Sequence, residues 1–308
     1  MKIGIIGRGE WTFKSMELLQ EQGHEITFII TAKEAPEYKY TSNDYMDFAN
    51  LHNIPFLHDP KIDEVKLLSL LQNNNTDVCV SVNYSGIISK KVINLFPLGI
   101  LNAHGGDLPR YRGNACQAWA IINGENKIGL CIHKMIGGEL DSGDIVNKSY
   151  LAIDINTKIG EVYYWMENEI PKLMLSSINK LSKDSNDVEK QSKNPQDALR
   201  TYPRNPDDGI INWNDTAESI IRLINASSEP FSGAFCTYNE EKMIIWRAKI
   251  YNDNENYLGV PGQVAEIKSS GDIIVITGHG KLIITEISFN GERIKPSKTI
   301  KSIRKRLR

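Results

Sequence analysis

The chain is poor in the residues that tie small secreted folds together. Its four cysteines, at positions 79, 116, 131 and 236, are scattered and show no CxxC spacing. That pattern excludes a disulfide framework and fits reduced, mostly buried thiols in a cytoplasmic protein. No apolar run approaches the length of a membrane span, so no membrane association is expected. The amino terminus, MKIGIIGRGEW, is too short in its apolar part and too quickly polar to read as a secretory leader. Charge of one sign is not in excess: the net charge is −2, and the whole-chain field gives no argument for nucleic acid. Metal-ligand spacing is absent too, with His24, His52, His58 and His279 standing isolated, so no metal is expected. What remains, 41% hydrophobic and 24% charged residues over 308 positions, is ordinary for a globular protein and leaves room for one large and one small domain.

The chain opens as β-α-β. Lys2 to Gly7 is an apolar strand, a helix is predicted from about Trp11 to Gln22, and His24 to Thr31 is the next strand. This pattern implies a parallel sheet. Gly4, Gly7 and Gly9 do not make GxGxxG, and no acidic residue ends the second strand, so a dinucleotide site has little support. Glycine at a strand-to-helix turn still offers backbone N–H groups to an anion such as a diphosphate. Helices are predicted from Asp44 to His52 and from Asp63 to Asn73, and a strand from Asp77 to Val82.

The most informative stretch runs from Leu98 to Trp119, LGILNAHGGDLPRYRGNACQAW. Leu98 to Leu101 has the composition of a buried strand. Side chains two apart on a strand share a face, so Asn102 and His104 project together from its carboxyl end, where open α/β sheets bind ligands. An amide and an imidazole aimed at one point can polarise a carbonyl and move a proton. The alternative is a strand-end Asn that caps a turn, followed by an incidental His. After them come Gly105-Gly106, a basic Leu108-to-Gly113 loop, and a helix-like run from Ala115 to Asn123. Ile128 to Met135 reads as a strand and leads into a glycine-bracketed loop, Gly137 to Asp144, that carries Asp141. A carboxylate delivered beside the Asn/His pair completes an acid–base constellation. His133, on the strand behind, reads as structural.

These motifs, Asn-x-His-Gly, Leu-Pro-Arg-Tyr-Arg-Gly, Trp-Ala-x-x-Asn-Gly and His-Lys-Met…Leu-Asp-Ser-Gly-Asp, resemble the N10-formyltetrahydrofolate-dependent formyltransferases. That family includes methionyl-tRNA formyltransferase, glycinamide ribonucleotide transformylase and the sugar N-formyltransferases. The resemblance implies that Asn102, His104 and Asp141 are the catalytic triad and that N10-formyltetrahydrofolate is the donor, with tetrahydrofolate as product. Asn102 and His104 would stabilise the oxyanion. Asp141 would accept the amine proton or hold His104 protonated. It further implies a folate pocket walled by the segment at Tyr84, Gly86, Ile87 and Ile88, with Leu140 and Asp141 opposite; the alternative for the two isoleucines is plain core. Arg8, Glu10 and Trp11 become candidate acceptor contacts, or else an ordinary helix start with a packed Trp. Asn102, Asp107 and Asn114 are candidates to shape the acceptor pocket.

A long helix from Gly160 to Leu181 would close a Rossmann-like α/β catalytic domain, residues 1–181. Residues 182–203, polar and without apolar periodicity, read as a linker. In residues 204–308 a helix near Thr216 to Asn225 and short strands punctuated by Gly and Asn suggest a small β barrel. This half resembles the OB-like carboxyl-terminal domain of methionyl-tRNA and sugar formyltransferases, and so excludes the short purine-pathway enzymes. The tail from Lys295 to Arg308 is basic, fit either to touch nucleic acid or to form a solvated terminal helix. A homodimer through apolar barrel strands is conceivable.

The resemblance divides on the acceptor. The tRNA enzyme usually carries a basic, mobile insertion after the second strand; here Thr31 to Tyr38 is short and mixed in charge. RNA affinity rests on phosphate neutralisation, which an acidic chain without that insertion supplies poorly. Gly105-Gly106-Asp107 replaces Pro-Ser-Leu, and Asn114-Ala115-Cys116 replaces a small-Ala-Pro run. His-Gly is shared with the formyltransferase for UDP-4-amino-4-deoxy-arabinose and with other sugar N-formyltransferases. The expected acceptor is therefore a dTDP- or UDP-linked amino-deoxy sugar, a 4-amino-4,6-dideoxyhexose by preference, of the kind that feeds O-antigen, lipopolysaccharide or other surface-polysaccharide synthesis. The alternatives are a methionyl-tRNA formyltransferase with a reduced loop, a non-catalytic nucleic-acid-binding OB protein, and a formyltetrahydrofolate hydrolase.

Overall fold

The computed structural model describes residues 1–36, 38–71, 75–84 and 86–308. The end of the helix expected from Asp63 to Asn73 (residues 72 and 73) and the next residue, Glu37 in the loop after the second strand, and Ser85 in the expected folate wall lie outside the described residues. The chain divides into two compact units. The first comprises Met1–Cys116, Ile128–Leu151 and Tyr163–Thr201; the second comprises Gln117–Lys127, Ala152–Val162 and Tyr202–Arg308.

The first unit is built on strands β1 (Lys2–Gly7), β2 (Glu25–Thr31), β3 (Phe56–His58), β4 (Val78–Val82), β5 (Ile100–His104), β7 (Lys127–Lys134) and β8 (Ile145–Ala152), with a two-residue pair, β6 (Arg112–Gly113) and β9 (Arg200–Thr201), apart from them. The seven strands run in the order β3-β2-β1-β4-β5-β7-β8. β1 to β5 pair in parallel and β7 is antiparallel to β5. Parallel strands are covered on both faces and read as continuous apolar runs. β1 is such a run: Ile3, Ile5 and Ile6 are fully buried. Gly4 is required there because a Cβ would stand 2.2 Å from the Phe28 ring.

Helix α1 (Gly9–Glu21) follows β1, and α2 (Ser42–His52) opens on a capping box between Thr41 and Asp44. The helix expected from Asp63 begins at Glu64 as α3 (Glu64–Leu71). The short helices α4 (Lys90–Ile93) and α5 (Cys116–Ile122) precede α6 (Ile159–Lys183), which runs through Pro171.

Of residues 182–203, expected as a linker, those up to Thr201 belong to the first unit. Glu189 and Ile145 exchange backbone hydrogen bonds of 2.8 and 2.7 Å, and β9 pairs in parallel with β6. Backbone pairing needs no apolar side chains, so a polar sequence conceals it.

The second unit packs helix α7 (Ala217–Ser227) on an antiparallel sheet of β10 (Ala234–Tyr238), β11 (Glu241–Ile250), β12 (Val264–Ile267), β13 (Ile273–Ile276), β14 (Lys281–Phe289) and β15 (Glu292–Ile294). The order is β10-β11-β14-β13-β12, with β15 also on β14. Its core is aliphatic, with Ile220, Ile224, Ile245, Ile273, Ile284 and Ile287 at its centre.

The tail is not the expected terminal helix. After a single turn at Pro296–Lys298, Ile300 and Leu307 are buried. Arg308 and Thr237 exchange backbone hydrogen bonds, Leu307 N–H donates to Gly262, and Val264 N–H donates to Lys305. The tail therefore occupies the open edges of both β10 and β12. Two apolar side chains and a row of edge partners outweigh the helix preference of its lysines and arginines.

Candidate active site

Asn102 and His104 alternate along β5 and face the same side of the sheet, at its carboxyl end. His104 is 6% exposed. Its Nε2 lies 2.6 Å from the Tyr111 carbonyl, so that nitrogen carries a proton and donates. Its Nδ1 lies 3.5 Å from Asp141 Oδ2. Both ring nitrogens thus face oxygen, an arrangement that suits imidazolium. Burial alone would lower the pKa of His104, but the contact with the Cys116 sulfur and the charge of Asp141 outweigh it and hold it above the ordinary value. Cys116 Sγ also sits 3.0 Å from the Tyr111 carbonyl and 3.2 Å from Thr201 Oγ1. Gly106 makes this packing possible: a Cβ there would stand 2.3 Å from Tyr111 O and 2.6 Å from His104 Nε2.

Asp141 is delivered by the loop after β7 in a left-handed conformation, φ 47°. Tyr111 and Ala115, in the facing loop, are left-handed as well, at 54° and 51°. Such residues cost of order 1–3 kcal/mol each and collect where surrounding contacts over-determine them. Those contacts are present. Gln191 Nε2 donates to the carbonyls of Asp141 (2.9 Å) and Gly143 (2.7 Å), while its Oε1 accepts from Arg112 (2.7 Å). The Asp141 carboxylate accepts from Gly113 N–H at 2.9 Å through Oδ2, and Oδ1 lies 3.5 Å from His133 Nε2. Burial would raise this carboxyl, but the hydrogen bond with His133, the charges of His104 and His133 and the Gly113 N–H together bring it down to about 2. Asp141 is a carboxylate at any ordinary pH.

His133, which the sequence places on the strand behind the site as a structural residue, contacts two of the site side chains. It is directly opposite Asn102 in the β5–β7 register, and its Nε2 is 3.1 Å from Asn102 Nδ2. The strand and the His-Lys-Met motif are visible in the sequence; the register that sets His133 against Asn102 is not. Gln191 has no local signal at all.

The remaining candidates separate by burial and partner. Of the two isoleucines, Ile88 is buried in a core cluster with Phe28, Val92 and Phe96, whereas Ile87 is almost fully exposed. Tyr84 packs against that same core and donates its hydroxyl to the Asp59 carbonyl, with burial pushing its pKa up to about 12. Gly86 lies against Pro60 O, where a Cβ would be 2.3 Å away. Leu140 and Ile136 are exposed on the Asp141 loop, and Gly137 of that loop packs on the backbone of Lys90. Leu140 directly precedes Asp141, so this loop carries an exposed apolar side chain next to the carboxylate.

Arg8 is engaged in structure: it donates to the carbonyls of Asn83 and Lys33 and lies over the Tyr38 ring. Glu10 accepts from Lys39 N–H, and Trp11 meets Tyr163 edge to face. Asp107 accepts from the Tyr150 hydroxyl at 2.9 Å. Asn114 is exposed, with its N–H on the Thr201 carbonyl. None of these five contacts a triad side chain in the bonds described. Among the described residues no helix is long and apolar enough to cross a membrane.

Asn102 and His104 thus stand at the carboxyl end of β5 in a mixed α/β sheet, with Asp141 beside His104. Residues 1–178 match the Formyl transferase family, and residues 204–304 match its C-terminal domain. This chain belongs to the formyltransferase family and is an enzyme of formyl transfer. It is 31% identical over 297 residues to a methionyl-tRNA formyltransferase of Clostridium acetobutylicum, covering 95% of this chain and 93% of that relative. Its fold is also that of WlaRD, a sugar 3N-formyl transferase solved in the presence of dTDP and 5-N-formyl-THF (TM-score 0.68, 20% identity, 92% of this chain and 97% of that one). An N-formyltransferase from Helicobacter canadensis, in complex with folinic acid and dTDP-3-aminofucose, gives 0.69 at 18% identity, over 92% and 98% of the two chains.

Proposed function

We propose that this enzyme moves a formyl group from N10-formyltetrahydrofolate to the primary amine of a dTDP- or UDP-linked amino-deoxy sugar, a 4-amino-4,6-dideoxyhexose by preference, for surface-polysaccharide synthesis. The observation that supports formyl transfer is that His104 lies 3.5 Å from Asp141 while Asn102, on the same face of β5, is linked toward Asp141 through His133, in a chain of this family. The folate donor brings an activated one-carbon unit, and the exposed Ile87, Ile136 and Leu140 are the residues that would hold its ring.

The roles follow from proton positions. The acceptor amine attacks as the free base; the bond from the formyl carbon to the donor nitrogen breaks, and that nitrogen leaves with the proton the amine gives up. His104 Nδ1–H is only loosely engaged by Asp141 at 3.5 Å, so it is available to an oxygen that becomes negative beside it. Asn102 supplies a second donor, and each such donor lowers a barrier by about 3–4 kcal/mol. A carboxyl held at about 2 is a weak base. The role that fits Asp141 is to keep His104 protonated rather than to store the amine proton.

The sugar acceptor is favoured by the loop after β2. The segment is short for an RNA-gripping arm, and three of its described residues are held in place: Lys33 by Arg8 on its carbonyl, Tyr38 by Asn83 on its hydroxyl, and Lys39 by its ion pair with Glu167. The Gly105-Gly106-Asp107 sequence after His104 points the same way. A second reading, methionyl-tRNA as acceptor, is supported by the sequence relatives at 27–31% identity that carry that name. The test is a panel in which UDP- and dTDP-linked 3- and 4-amino sugars and Met-tRNA are offered singly with the donor, and tetrahydrofolate release and product mass are followed. One formylated amino sugar supports the proposal. Formylation of Met-tRNA alone, with a steep salt dependence, replaces it with the second reading.

A further inference from the structure

We propose that His133 is a positioning residue of the transfer site, holding the Asn102 amide and the Asp141 carboxylate in register with one another without touching substrate. This inference rests on the formyl-transfer reading above. A single atom, His133 Nε2, stands 3.1 Å from Asn102 Nδ2 and 3.5 Å from Asp141 Oδ1. The other ring nitrogen, Nδ1, lies 3.0 Å from the Lys134 carbonyl, which fixes a proton there and leaves Nε2 to the site. The ring is 2% exposed and stands nearly perpendicular to that of His104, at 84° and 6.1 Å between centroids.

Its neighbours on β7, Leu130, Cys131 and Ile132, are fully buried, and an apolar side chain at 133 would continue that core. An imidazole there instead carries a desolvation cost, and apart from the Lys134 carbonyl its partners are site residues. Asp141 is thus bracketed: His104 and the Gly113 N–H meet Oδ2, His133 meets Oδ1, and Gln191 holds the backbone carbonyl. Cys116 adjoins His104 from the facing loop. His133 Nε2 thus stands between the Asn102 amide and the Asp141 carboxylate, and the placement of one is tied to that of the other through this single atom.

The experiment compares wild type with His133→Met and His133→Gln. In His133→Met, kcat falls about 10- to 100-fold while KM for each substrate stays within about twofold, because orientation rather than binding is lost. Asp141 loses a partner that holds its carboxyl low, so an acid limb absent from the wild-type kcat profile enters the measurable range. His133→Gln, which keeps a side-chain amide near Nε2 but no charge, recovers most of kcat and retains the new limb. If His133→Met does not fold, His133→Gln carries the test through the limb alone. Wild-type kcat and profile in His133→Met, or an unmoved limb in His133→Gln, overturns the proposal.

A readout independent of turnover is the carboxyl carbon resonance of Asp141. In wild type it stays ionised down to acid unfolding, and in either variant it gains a titration step above that. An unchanged titration overturns the positioning role even if no acceptor is ever found. Wild type inactive with every acceptor while the titration shifts as expected would instead count against the function and leave the positioning of Asp141 standing.

Discussion

The two units bury different things. In the second, the interior is aliphatic, and its one buried charge, Lys281, is matched by Asp253 at 2.8 Å and Glu255 at 2.5 Å. In the first, His104, His133, Glu167 and Gln191 are all buried, and three of these four turn toward one loop. The second unit follows the ordinary logic of burial, in which a paired ion is tolerated and apolar area supplies the stability. The first accepts polar burial, and its left-handed Tyr111, Ala115 and Asp141 lie in the loops that surround the His104 ring and the Asp141 carboxylate. Damage to the second should therefore appear in stability, and damage to the first in rate.

The largest effect is expected from Asp141→Asn. Turnover should fall by about three orders of magnitude or more, with the circular dichroism spectrum and KM little changed; a loss below tenfold would remove the contrast between the units. The same variant tests linkage. The Asp141 carboxyl is held at about 2, below its unfolded value near 3.8, so it contributes stability that is full above pH 4 and is lost as pH falls toward 2. Denaturant titrations should show wild type losing about 2 kcal/mol more than Asp141→Asn across that window. Next, Ile284→Ala in the second core should cost about 2–5 kcal/mol by urea unfolding, with kcat of the folded enzyme within twofold.

Gln191→Ala should lie between these. It leaves the Asp141 and Gly143 carbonyls short of a donor, costing about 1–3 kcal/mol and lowering kcat about tenfold, with KM nearly constant. A purely stability-based loss would place Gln191 with the second unit's logic. The smallest effect is expected from Lys281→Met. Its two acidic partners reach solvent, so the apolar replacement should move the melting temperature by less than about 4 °C in either direction.

The sequence makes the triad legible because its information is local. Period two along β5 puts Asn102 and His104 on one face, and glycines bracket the loop that carries Asp141. The parallel opening of the sheet is legible for the same reason, as continuous apolar strands bounded by glycine. What depends on pairing between distant segments is not. The role of His133 requires knowing that it stands opposite Asn102, and a one-residue slip would turn it away. Gln191 sits in a polar stretch whose backbone bonds, Glu189 with Ile145 and β9 with β6, leave no trace in side-chain pattern. In the tail, the run of lysines and arginines obscures the two residues that decide its path, Ile300 and Leu307. The sequence leaves Ile87 and Ile88 alike, as folate wall or as core, and only the packing against Phe28 and Phe96 marks Ile88 as core.

The most direct test of the central claim is a competition in one tube. Wild-type enzyme and limiting N10-formyltetrahydrofolate are mixed with a dTDP-linked 4-amino-4,6-dideoxyhexose and Met-tRNA at equal concentration, and both acceptors are analysed by mass. The expected result is one formyl group on the sugar nucleotide, unmodified Met-tRNA, and no product when Asp141→Asn replaces wild type. Formyl-Met-tRNA beside an untouched sugar would contradict the acceptor, and equal yield from Asp141→Asn would contradict the site.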